Sequence, residues 1–195
     1  MNREQMLQKL KNALERERFE HTLRVECCAV ELAQRIGCDK AKISTAALLH
    51  DCAKEYGIEQ GLALAARYGV ELDEYQRSQR SLLHAPLGAG VARIEYGVTD
   101  MAVLNAIEFH TTGRKNMSVE EKIIYIADAV ESGRQFSGVQ VLRNLCRKDL
   151  DSAMRYALKN GIIGLIRGGH IVHPDSIEAL NSLIQPQTGG SYKEF

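Results

Sequence analysis

Residues 40–55 read KAKISTAALLHDCAKE. Asp39 precedes them as an N-cap. The apolar run Ala46-Ala47-Leu48-Leu49 then ends directly in the pair His50-Asp51. A helix over 40–55 is predicted, with one end charged. Burying a carboxylate there is costly unless it is paired or meets a cation, so the pair raises the question of what else converges on it.

The neighbouring sequence is helical as well. Only Pro86, Pro174 and Pro186 interrupt the chain, and apolar residues recur at helical spacing almost throughout. Helices are expected near 3–15, 18–36, 59–68, 85–96, 100–111, 119–132, 139–159 and 175–184. Gly37, Gly69, Gly97, Gly113, Gly133 and Gly161 follow these segments as C-caps. Thr99 is a second N-cap candidate, and Ser118 with Glu121 fits a capping box. The stretch 70–83 is ambiguous. Residues 161–174, GIIGLIRGGHIVHP, join a β-branched run to Gly-Gly and read as an extended segment or hairpin. The expected fold class is all-α, one helical domain over 1–184 with a polar tail at 185–195.

Composition narrows the function classes. The chain has 195 residues, 45% hydrophobic and 26% charged, with 25 Lys+Arg against 25 Asp+Glu. That balance gives no broad basic footprint for nucleic acid, and general disorder is excluded. No apolar run reaches the roughly 20 residues that span a bilayer. The N-terminal stretch is charged and amphipathic, unlike a signal peptide. Five cysteines without a C-x-x-C pair do not suggest a disulfide framework. A cytoplasmic protein is expected, with no membrane and no nucleic acid as partner.

Histidines and aspartates recur on the apolar faces. His21 opens a stripe with Val25, Cys28, Leu32 and Ile36. His84 stands before Ala85-Pro86 at a helix start, and His110 ends the helix carrying Val103, Ala106 and Ile107. Asp128 lies inside the run from Ile123 to Val130. Any one of these histidines is unremarkable in a core. Together, four histidines and two aspartates on different helices would converge if the helices bundle. Imidazole nitrogen with carboxylate oxygen suits Fe, Mn, Zn, Co or Ni.

The order His21, His50-Asp51, His84, His110, Asp128 resembles the HD superfamily in its dinuclear form. The strings Leu48-Leu49-His50-Asp51-Cys52-Ala53-Lys54, His110-Thr111-Thr112-Gly113 and Ala127-Asp128-Ala129-Val130-Glu131 with Arg134 are similar to the YqeK family. So are His21-Thr22-Leu23-Arg24-Val25 and the segment from His173-Pro174 to Leu180-Asn181. That family comprises HD-type symmetrical diadenosine tetraphosphate hydrolases, and the likeness spans roughly 15–182. Val130 and Ser132 depart from it, where isoleucine and proline are expected.

The resemblance implies an HD phosphohydrolase domain over 1–184 and two divalent or trivalent metal ions, iron favoured, with Mn, Co, Zn or Ni compatible. His21, His50, Asp51 and Asp128 would hold one ion. Asp51, His84 and His110 would hold the other. A metal-bound hydroxide would cleave diadenosine tetraphosphate to two ADP. Asp51 and Lys54 are the catalytic candidates, with Lys54 stabilising charge from the same face as the pair. Arg24, Thr111, Thr112, Gly113, Arg134 and His173 are the substrate-binding candidates. His170 and His173 do not form a separate metal site.

The partner is thus a small dinucleoside polyphosphate, and a homodimer stays open. Rival readings are a phosphohydrolase of the same site on another nucleotide, a di-iron HD oxygenase, and a nucleotide-binding regulator. The lack of a G-Y-P string after the pair weighs against cyclic dinucleotides. Occupation of all six ligand positions weighs against the regulator.

Overall fold

The structure is a computed structural model that describes residues 1–184; the expected tail at 185–195 lies outside them. Among the described residues the fold is all-α, with eleven helices. Two of them organise the rest. Helix α3 (Lys40–Leu49) buries Ile43, Ala46, Ala47, Leu48 and Leu49, so it is apolar on nearly every side. A helix of that kind belongs in the centre. It packs against α2 (Arg16–Ile36), α7 (Met101–Glu108) and α8 (Val119–Val130), with further contacts to α1 (Arg3–Ala13) and α6 (Arg80–Glu95). Helix α6 buries every residue from Leu82 to Ala92 and joins α7 to α4 (Ile58–Tyr68) and the short α5 (Glu74–Ser78). Helices α9 (Val139–Cys146), α10 (Leu150–Arg167) and α11 (Pro174–Leu183) close the bundle over α8.

Capping follows the sequence in several places. The Asp39 carboxylate accepts from the Ala41 and Lys42 amides. Ser118 and Glu121 form the reciprocal box. Gly37 and Gly69 end α2 and α4 in the left-handed conformation.

Elsewhere the structure corrects the expected elements. The helix expected over 40–55 stops at Leu49. Beyond it the Cys52 amide donates to the Leu49 carbonyl and the Lys54 amide to Asp51. These i→i−3 turns tighten the chain. Ile36, placed on the α2 stripe, is exposed. The cap before α7 is Asp100, not Thr99. Helix α6 begins at Arg80, so His84 lies inside it and Pro86 is an interior proline.

The helix expected over 139–159 is two. The Asp149 side chain caps a new start by accepting from Ser152. The extended segment expected over 161–174 is largely helix through Arg167. Buried Met154, Leu158 and Ile162 continue one stripe at four-residue spacing through Gly161, and that burial outweighs the local preference of glycine and isoleucine. Only residues 168–173 lie outside a helix there.

Close packing leaves one test of the α6 contact. A Cβ at Gly90 would stand 2.4 Å from Val70 Cγ2 and 3.8 Å from Tyr68 Cβ. Gly90→Val is therefore expected to destabilise the fold by about 1–3 kcal/mol through overpacking, read as a melting temperature several degrees lower by calorimetry. An unchanged melting temperature would mean that the segment after α4 gives way freely.

Candidate metal centre

The six histidine and aspartate positions come from five elements and meet beside the end of α3. His21 projects from α2, His84 from α6 and Asp128 from the last turn of α8, while His50 and Asp51 follow α3 and His110 follows α7. His21, His50, Asp51, His84 and His110 are all buried. Their ligand atoms form three groups, each with atoms within 4.8 Å of one another: His21-His50-Asp51, His50-His110-Asp128 and Asp51-His84-His110. Asp51 belongs to two groups, as do His50 and His110.

Hydrogen bonds set which nitrogen each ring presents. His50 Nδ1–H donates to the Ala47 carbonyl at 2.7 Å, and His110 Nδ1–H donates to the Ile107 carbonyl at 2.7 Å. A carbonyl can only accept, so the neutral rings hold their protons there and offer Nε2 lone pairs. His21 Nδ1 faces the Glu131 carboxylate at 3.3 Å, which selects the same tautomer. This arrangement, with the far ring nitrogen tied to a carbonyl or carboxylate, orients a metal-binding histidine.

The inward atoms lack partners. Among the described residues, His21 Nε2, His50 Nε2 and Asp51 Oδ1 are buried without a hydrogen bond. Asp51 Oδ1 lies 3.2 Å from His84 Nε2 and 3.6 Å from His110 Nε2, and those two nitrogens are 3.1 Å apart. Orphaned buried donors and acceptors are costly, and a cluster of lone pairs fits a cation. Burial pushes the His50 and His84 imidazoles down to about 4, so both are neutral near pH 7. Burial would raise the carboxyls, but the surrounding charge reverses it. His50, His110, His84 and Lys54 hold Asp51 well below the usual carboxylate range, and His21, His50 and Arg134 do the same for Asp128. Neutral imidazoles and ionised carboxylates are the protonation states that metal binding requires.

Cationic side chains surround this core. Lys54 Nζ lies 3.0 Å from His84 Nε2 and 3.6 Å from Asp51 Oδ1. Arg134 donates from Nη2 to Asp128 Oδ1 at 2.5 Å and from Nε to the Asp128 carbonyl at 2.8 Å. Arg24 pairs with Glu131 at 2.7 Å.

Two groups escaped sequence reasoning. Arg18 donates to Asp51 Oδ2 at 2.8 Å, and nothing in its spacing marked it. Glu131 joins His21, Arg24 and the Gly133 amide; its signal was a second acidic residue three positions after Asp128.

Two cavities open on the centre and share Lys54. The first, about 720 Å³, is lined by Arg18, Arg24, Arg80 and Arg134 together with several glutamates. The second, about 560 Å³, reaches His110, Thr111 and Asp128 and continues between α8 and α10. Thr111 Oγ1 lies 3.2 Å from His110 Nε2 and 3.3 Å from His84 Nε2.

Thr112, Gly113 and His173 line neither cavity. The Thr112 carbonyl accepts from Ser176. Gly113 has φ +67, and a Cβ there would lie 3.1 Å from Ala179 and Met117 atoms. His173 caps α11 by accepting from the Asp175 amide, while its Nε2 meets Asp73 at 2.7 Å. Thr112 and Gly113 hold the turn after His110 against α11, and His173 ties the start of α11 to Asp73.

Similarity to known proteins agrees with this geometry. Residues 18–133 match the HD domain family. The chain is 39% identical to the symmetrical bis(5'-nucleosyl)-tetraphosphatase of Halalkalibacterium halodurans, over 96% of this chain and all of that one. It is 38% identical to the protein of the same name from Bacillus subtilis, over 94% and 98%. A crystal structure from Clostridium acetobutylicum, described as a predicted HD superfamily hydrolase involved in NAD metabolism, matches with a TM-score of 0.90 and 41% identity, over 94% of this chain and 97% of that one. An HD helical bundle with a His/Asp centre, and near full-length likeness to these proteins, together show that the chain belongs to the HD domain family and, within it, to the family of the symmetrical bis(5'-nucleosyl)-tetraphosphatases.

Proposed function

We propose that the chain hydrolyses diadenosine tetraphosphate symmetrically to two ADP, in the cytoplasm, with two metal ions as cofactors and iron favoured over Mn, Co, Zn or Ni. The observation that carries this reading is the cluster of partnerless His21, His50 and Asp51 atoms in a protein whose relatives bear that name. His21, His50, Asp51 and Asp128 would hold one ion; Asp51, His84 and His110 would hold the other. The first and third ligand groups support this division, because Asp51 is common to both, while the second joins His110 to His50 and Asp128 across it. Bound there, such ions supply Lewis acidity to phosphoryl oxygens and bring a water's pKa towards neutrality.

The chain's own side chains bind and orient the substrate. Lys54 stands where the two cavities meet, and its ammonium neutralises charge developing on the transferring phosphoryl group. Arg24, Arg134 and Arg18 line the polar cavity and offer planar, bidentate contacts to phosphates. Thr111 offers a hydroxyl beside His84 and His110. Thr112 and Gly113 position that turn against α11, whose start His173 caps. ADP leaves readily from phosphorus, so no separate general acid is required. Local charge of this kind lets a chain of zero formal charge take a polyphosphate. Residues 1–184 act as one HD phosphohydrolase domain.

The direct test resolves the nucleotide products of metal-replete protein acting on diadenosine tetraphosphate. ADP alone is expected. ATP with AMP would move the attack to an outer phosphorus, and no turnover with metal bound would overturn the reading. Asp51→Ala strips a ligand from both ions, so metal content by mass spectrometry and activity are expected to fall together. A fully active variant would refute the shared ligand. Lys54→Ala is expected to keep the metal and lower kcat by roughly 10²–10³; an unchanged kcat would leave Lys54 without a part in the reaction.

A further inference from the structure

The ligand set leaves the second cavity unexplained. Beyond His110 and Asp128 it runs along α10, where Gly161 and Gly164 line it three residues apart. Glycine inside a helix is unfavourable relative to alanine. A Cβ at either position would meet nothing within 4 Å, so no neighbour in the fold requires their smallness. Their effect is to leave a bare strip of helix backbone along the cavity.

Phe136 lines the same space and is 46% exposed. A large apolar ring left partly in water beside a cavity suits a ligand with a flat face. Tyr125 and Tyr156 also line it. Asn160 spends one amide hydrogen on the Tyr156 carbonyl at 2.7 Å, which leaves its carboxamide oxygen to accept. The volume of about 560 Å³ lies within the roughly 300–1,000 Å³ usual for small-molecule sites. The first cavity differs in kind: no Phe or Tyr lines it, and its cations are Arg18, Arg24, Lys54, Arg80 and Arg134.

We propose that the second cavity takes one nucleoside of the substrate, its base lying on the Gly161–Gly164 face of α10 under Phe136. The polyphosphate then runs past Lys54 into the arginine-rich cavity. Recognition is one-sided: one nucleoside is read by its base, and the other is held only through its phosphates. This rests on the reading of the substrate as a dinucleoside polyphosphate and specifies the residues that select it.

Equilibrium binding to metal-replete protein tests it without requiring turnover. The probes are ADP and inorganic pyrophosphate, measured by calorimetry on the wild type, Phe136→Ala and Gly164→Leu. Phe136 is exposed, and a side chain at Gly164 meets open space, so both variants are expected to keep the wild-type melting temperature. ADP is expected to bind the wild type more tightly than pyrophosphate does. Each variant is expected to weaken ADP about tenfold, the scale of one lost stacking contact, with pyrophosphate unchanged. Equal binding of ADP and pyrophosphate to the wild type would overturn the proposal, as would unaltered ADP affinity in both variants. If ADP affinity falls as expected while diadenosine tetraphosphate goes uncleaved, the proposed reaction fails and the nucleoside cavity stands.

Discussion

The rest of the structure depends on one buried carboxylate. Asp51 lies against His50, His84, His110, Lys54 and Arg18 at the end of the central helix α3. In a low-dielectric interior an ionised carboxylate is tolerated only with compensating charge. Lys54 and Arg18 supply part of that compensation. His50, His84 and His110 stand within 3.6 Å of the Asp51 oxygens and help hold it well below the usual carboxylate range. Its Oδ1 still has no hydrogen-bond partner among the described residues, which makes the centre receptive to a cation. Packing of α2, α6, α7 and α8 around α3 therefore does more than bury apolar area. It brings ligand atoms from five elements within a few ångström of Asp51.

The surroundings of that centre divide the labour. Two carboxylates tie down the groups around it: Glu131, outside the candidate ligands, holds His21 and Arg24, and Asp128, one of those candidates, holds Arg134. Side chains already oriented lose less entropy when they take up a phosphate. The two cavities then differ in what they offer: five cations and no Phe or Tyr line the first, while Phe136, two tyrosines and bare helix line the second beside Lys54 and Arg167.

Helical spacing was legible wherever burial ran with it. The stripe through His21, Val25 and Leu32 and the caps at Asp39 and Ser118 read directly. It was misread where local preference and tertiary burial disagreed. Gly161 argued for a helix end, and the β-branched run leading to Gly168-Gly169 for an extended chain, yet Met154, Leu158 and Ile162 carry α10 past Gly161. Pro86 argued for a helix start, yet α6 is buried from Leu82 to Ala92 and begins more than one turn earlier, at Arg80. Around the centre, the convergence of the six His and Asp positions was legible because a histidine or aspartate on an apolar stripe is chemically out of place. Arg18 was not, since arginine near the exposed start of a helix is ordinary.

By itself, the sequence determined the helical class, the order of the His and Asp positions and the family they resemble, because each is carried by residue type and by spacing within one helix. Tertiary structure alone decided which nitrogen His21, His50 and His110 present, that Arg18 meets Asp51, and that Thr112 and Gly113 brace a turn against α11. It also decided that glycines in α10 border an open cavity. Those outcomes depend on contacts between segments far apart in the chain, as between Glu131 and His21 or Asp73 and His173, and no local pattern encodes the distance at which two helices finally pack.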